Sequence, residues 1–221
     1  MKKILLLSVF IFISAGLFAQ ERWGIQASLN LASATEKYTP LFSFGEGSGS
    51  GSVHYDSRLG FSAGVVAEIP LKRSLSLRPE LIFVQKNYFN KVYEGAMDKA
   101  IDVNYTQNYL ELPVNLIYNE DLRSGRLFLG AGLNFSLGLG GHFKSSAAVY
   151  DTMTGERNID MHLQVFELGL GLLAGYSLSN GIFTSISFNP GIIDFNSDFL
   201  TTNFKTSVLH LKVGYMIPSG K

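Results

Sequence analysis

From Trp23 onward, apolar and polar residues alternate. Trp23, Ile25, Ala27, Leu29 and Leu31 form a first apolar row, with Gly24, Gln26, Ser28 and Asn30 between them. A second row runs Leu59, Phe61, Ala63, Val65, Ala67 and Ile69, a third Leu75, Leu77, Pro79, Leu81 and Phe83, and a fourth Leu110, Leu112, Val114, Leu116 and Tyr118. Four more follow at the same spacing: Leu127 to Leu137, Phe166 to Tyr176, Ile182 to Phe188, and Leu209 to Tyr215. A helix would repeat its apolar face every 3.6 residues; a period of two is that of a strand with one apolar side. The pattern predicts eight strands.

The chemistry of the two faces decides which one points outward. None of the apolar rows contains a charged residue. The rows between them hold Glu68, Arg78, Glu80, Glu111, Arg126, Glu167, His210 and Lys212, among many Gly, Ser and Asn. A soluble barrel with an apolar interior would carry a densely charged outer face. Sparse charges of both signs among small residues suit a crowded interior instead, and an uncharged Leu-rich face suits lipid, where Lys or Arg at mid-bilayer costs roughly 2–4 kcal/mol. The expected fold is therefore all-β, an eight-stranded antiparallel up-and-down transmembrane β-barrel.

The connections alternate in length. Residues 70–74, 119–124 and 179–181 read as short turns, and residues 33–57, 88–106, 144–160 and 190–205 as long polar loops. Outer-membrane barrels have short periplasmic turns and longer extracellular loops, which orients the chain with both ends of the barrel sequence on the periplasmic side. Trp23, Tyr118, Tyr176 and Tyr215 then fall at the periplasmic ends of their strands. Phe83, Phe135, Phe166 and Phe188 fall nearer the outer ends, forming two aromatic belts at the membrane interfaces. On this assignment Val114→Arg should block membrane assembly, and Asn115→Arg should be tolerated better.

Composition agrees with the pattern. The chain has 221 residues, of which 46% are hydrophobic and only 16% charged, against roughly 25% charged in a typical soluble domain. Lys2 and Lys3 precede an apolar stretch from Ile4 to Ala19, the layout of a secretory signal peptide over residues 1–19, with the barrel domain expected over residues 20–221. Lys+Arg and Asp+Glu are both 18, with no basic cluster, so no nucleic-acid partner is expected. Cysteine is absent, which excludes disulfides and lipid attachment through a cysteine.

Several segments resemble the PorT-like outer-membrane β-barrel family (the outer membrane protein beta-barrel domain). They are Gly24 to Ala32, Gly60 to Glu68, Leu75-Ser-Leu-Arg-Pro-Glu-Leu81 with Gln85-Lys86, and Tyr109-Leu-Glu-Leu-Pro-Val114. Asn87 departs from the pattern, standing where a Gly often follows the Gln-Lys pair. The resemblance implies an outer-membrane location; one branch of the family belongs to a protein-secretion apparatus.

The interior charges are the main candidate site. In an eight-stranded barrel side chains just fill the lumen, and buried charges are costly unless paired. The eight interior residues are therefore expected to form a plugging salt-bridge network, with Glu68 and Arg78 as neighbours across the first short turn. The alternatives are a narrow channel for small solutes and a lipid-modifying enzyme, the latter drawing on His142, Ser145, Ser146 and His162 near the outer rim. No Gly-x-Ser-x-Gly elbow is present. Asp194, Asn196 and Asp198 have calcium-loop spacing, but Phe199 and Lys205 stand where such a loop needs Gly and Glu. Gly45 to Ser52 lacks the Gly-Lys-Ser/Thr of a phosphate loop. No catalytic residue, cofactor or metal site is assigned. The expected role is structural or interactive. The expected partners are outer-membrane lipids, the barrel-assembly machinery during biogenesis, and outer-membrane proteins met through the extracellular loops.

Overall fold

The computed structural model describes residues 22–38, 51–94, 99–145, 158–161, 166–194 and 202–217. They form β1 (Arg22–Tyr38), β2 (Gly51–Lys72), β3 (Leu75–Glu94), β4 (Lys99–Leu122), β5 (Gly125–Ser145), β6 (Asn158–Met161), β7 (Phe166–Leu178), β8 (Ile182–Asp194) and β9 (Thr202–Met216). Each long strand pairs antiparallel with the next, β4 closes onto β5, β5 pairs β7, and β9 returns to β1. Eight strands thus make a ring. The four-residue β6 is additional and pairs with the outer end of β5, from Gly141↔Met161 to Lys144↔Asn158. Closure leaves the ring no edge and satisfies its backbone groups within the sheet, which a hydrocarbon solvent demands. The expected leader, residues 1–19, lies outside the described residues.

The alternating rows divide as their chemistry requires. The apolar rows face outward: Ile25 and Leu211 are each 62% exposed, and Leu59 is 61% exposed. The intervening positions are buried inside the ring, including Asn30, Glu111 and His210. Ala67, opposite Trp23 in the ladder, departs from its row and is buried. The turns at one end are tight: Arg73–Ser74, Arg123–Ser124, and the β7–β8 turn, where Gly181 takes φ +92°. Strands β2 and β4 therefore run on to Lys72 and Leu122, deeper into the expected turn regions than the apolar rows suggested.

The larger correction concerns the four long polar loops. Much of their length is strand. β1 continues to Tyr38, β2 begins at Gly51, β3 reaches Glu94, β4 starts at Lys99, and β9 starts at Thr202. β4 has 24 residues, and β8 has 13, whereas roughly 9–11 residues suffice for a transmembrane strand. On the β2–β5 side the sheet therefore stands well above the lipid as a wall that is polar on its outer surface. The alternation stops being legible there because water, unlike lipid, does not require every second residue to be apolar.

Candidate functional site: the barrel lumen

The polar rows of all eight ring strands meet in the lumen, which divides into two layers. The periplasmic layer is closed by an apolar cluster of Val66, Ile117, Phe128, Leu173, Phe183 and Met216. Two glycines make room for its rings. A Cβ at Gly175 would collide with the Phe128 ring, and one at Gly214 with the Phe183 ring. Arg78 is 2% exposed and lies between these rings, its guanidinium carbon 4.5 Å from the Phe128 centroid and 4.6 Å from that of Phe183. Stacking on aromatic faces suits guanidinium, which is planar and weakly hydrated. Glu68 and Arg78 occupy facing positions of β2 and β3, yet Glu68 takes other partners. Arg126 Nη1 bonds it at 3.2 Å and Ser76 Oγ at 3.5 Å, while Arg126 Nε also reaches Asp121 at 2.9 Å on the rim.

Above the rings, Lys212 Nζ donates to Glu80 Oε2 at 2.6 Å, and Gln26 Nε2 donates to the same oxygen at 2.7 Å. Ser28 bridges Ser62 and the Nδ1 of His210, the latter at 3.2 Å. The outer layer is built on Lys86. Its ammonium lies 2.9 Å from Glu111 Oε1, 3.8 Å from Glu167 Oε2, 3.3 Å from Thr206 Oγ1 and 3.9 Å from the centre of the Tyr109 ring. Thr206 donates to Glu167 at 2.8 Å, Tyr109 donates to the other Glu167 oxygen at 3.2 Å, and Asn134 donates to Glu111 at 3.1 Å. A cavity of about 10 Å³ sits among these groups, bounded also by Ser136, Asn189 and Val208. That is room for about one water. Tyr88, Ala32, Ala34 and Val208 pack above it.

Four carboxylates, Glu68, Glu80, Glu111 and Glu167, thus share the lumen with four cations, Arg78, Lys86, Arg126 and Lys212. The structure places all eight expected interior residues on the lumen side, with Arg126 partly exposed at the lower mouth. Lys86 is the residue that the sequence reading missed. It shares the parity of Arg78 and Glu80 but lies beyond Phe83, where the third apolar row ends. Phe128 and Phe183 were also missed, as aromatic residues inside polar rows. The expected belt residues Trp23, Tyr118 and Tyr215 are exposed at the periplasmic end, and the Tyr176 hydroxyl lies 2.8 Å from Ser124 Oγ. His142 pairs in register with Thr106 and Asp160 on the outer wall, away from the lumen. Ser146 and His162 lie outside the described residues.

The structure also changes the expectation for Asn115. This residue is 3% exposed, and a Cβ at Gly132 or Gly171 would come within 2.8 or 2.7 Å of its Oδ1. Arginine has no space there, so Asn115→Arg is not the tolerated substitution that its polar surroundings suggest.

A closed antiparallel ring with an apolar outer face and a packed polar interior is a transmembrane β-barrel of the outer-membrane type. The chain belongs to the outer membrane protein beta-barrel domain family, whose profile matches residues 18–197, and its location is the outer membrane. Its fold is similar to that of the outer membrane protein OprG from Pseudomonas aeruginosa, with a TM-score of 0.50 and 12% identity over 90% of this chain and 96% of that one. Neisserial surface protein A is 18% identical, with a TM-score of 0.42, over 87% of this chain and 96% of its own. No curated protein matches the chain.

Proposed function

We propose that this protein is a closed barrel stem whose role is structural or interactive and is carried by its outer wall and loops. The filled lumen is the observation that supports this reading. Arg78 clamped between Phe128 and Phe183 closes the lower layer, and the Lys86 cluster fills the upper one around a cavity of about 10 Å³. Opening such a path would lift Arg78 from its two rings and separate Lys86 from its carboxylates, the latter at a cost of about 3–5 kcal/mol. The strands project beyond the thickness of the membrane, a shape suited to display. Within the family resembled by Leu75 to Leu81 and Tyr109 to Val114, the secretion-linked branch is the more specific assignment that this role would fit.

Liposome swelling tests the stem. Vesicles containing the purified protein should swell no faster in small sugars or amino acids than empty vesicles, and swelling that scales with protein content would instead establish the small-solute channel. Crosslinking in native membranes tests the interactive role. The expected result is a reproducible outer-membrane partner captured through the wall. Capture restricted to the assembly machinery would remove the secretion link.

A further inference from the structure

The outer wall carries a polar groove of about 620 Å³ where the lipid-facing surface ends, bounded by Arg58, Asn87, Asn104, Thr106, His142 and Lys144 among others. Its residues lie in register across adjacent strands: Arg58↔Asn87, Asn87↔Thr106 and Thr106↔His142, with Asn104↔Lys144 one step further out. Thr106 and Asn104 continue the outward row of Leu110, while Gln107 and Val103, of the opposite parity, are buried in the lumen. The groove is therefore on the exterior.

Two backbone irregularities put the cations there. In β5 the inward row runs through Asn134, Ser136 and Gly138, and its continuation would turn His142 into the lumen. The β4–β5 register instead shifts at Asn108/Tyr109, opposite Gly140 at φ +124°, and His142 and Lys144 join the outward row. In β2 the register shifts on both sides of Arg58, whose guanidinium lies over the ring of Phe89, 5.5 Å from its centre. Bulges re-aim side chains in this way. Here they gather two cations and an imidazole on neighbouring rungs of the outer wall, just beyond the exposed Leu59, Leu110 and Leu139.

The groove also contains unmet polar groups. The side-chain oxygens of Asn87 and Asn104, and of Asn108 beside them, are buried without a hydrogen-bond partner. These acceptors call for hydroxyl or amide donors, while Arg58 and Lys144 call for an anion. A sugar phosphate supplies both, and the adjoining apolar face takes acyl chains. We infer that this groove binds the headgroup of a phosphorylated glycolipid of the outer leaflet, its phosphate held by Arg58, Lys144 and His142 and its sugar donors by the asparagines. The site lies on the outer wall and does not depend on whether the lumen conducts.

Native mass spectrometry of the purified full chain in neutral detergent tests this, using a bisphosphorylated diglucosamine lipid as probe. The wild type should retain the probe and bind its dephosphorylated form about tenfold more weakly, and R58A/K144A should lose about tenfold in affinity. K144E alone should lower retention in the same direction, and heat-modifiable gel mobility reports that each variant is folded. Replacing Lys72 and Arg73 by alanine at the opposite end should leave binding unchanged. Three results would overturn the inference: equal retention by folded R58A/K144A, an equal loss on removing Lys72 and Arg73, or displacement of the probe by inorganic phosphate alone.

Discussion

The two layers of the lumen close the same barrel by different physics. The periplasmic layer uses shape: Phe128 and Phe183 seat over Gly175 and Gly214 and stack on Arg78. The outer layer uses charge: Lys86 holds Glu111 and Glu167 within a hydrogen-bonded shell of Thr206, Tyr109 and Asn134. Arg78 and Lys86 are both almost fully buried, yet their deletion should have unequal consequences. Removing Lys86 strands two carboxylates. Without Arg78, Glu80 keeps Lys212 and Glu68 keeps Arg126. A buried cation matters here according to what its loss leaves unpaired.

Urea unfolding from lipid vesicles, read through the single tryptophan, Trp23, measures this contrast. The largest effect is expected for Lys86→Met, at about 3–5 kcal/mol, with Lys86→Met/Glu111→Leu/Glu167→Leu recovering much of it because no charge is then stranded. Additive losses in that series would remove the outer layer's ionic account. Phe183→Ala should cost about 3 kcal/mol through the cavity it leaves in the lower layer. Gly214→Val, which forces a side chain into the space of the Phe183 ring, should cost roughly 1–3 kcal/mol, and Gly214→Val/Phe183→Ala should cost less than the sum of its parts. Arg78→Met should have the smallest effect, about 2 kcal/mol or less, since the loss is mainly its cation–π stacking. A cost for Arg78→Met equal to that for Lys86→Met would erase the distinction between the layers.

How much of this was readable in advance follows from the solvent on each side of the wall. Lipid requires an uncharged residue at every outward position, so the eight rows, their outward direction and the inward placement of Glu80, Glu111 and Lys212 could be read from parity. Beyond Phe83 and Leu110 the wall meets water, the alternation lapses, and the strand extensions have the pattern of loops. Lys86 was missed for the same reason, although its even number in the row of Arg78 and Glu80 was the available signal. Partner choice was not legible at all. Glu68 meets Arg126 because closing the ring brings β5 across from β2, and Arg78 meets two rings because Gly175 and Gly214 open space for them. The outward turn of His142 depends on the bulge opposite Gly140, a local departure from the period on which the whole reading rests.

The two layers together seal the barrel. Single-channel recording in planar bilayers is the measurement that checks this seal. The wild-type protein, inserted and shown to be folded by heat-modifiable gel mobility, should give a flat baseline under applied voltage. Stable, reproducible conductance steps from the wild type would mean that the lumen is open.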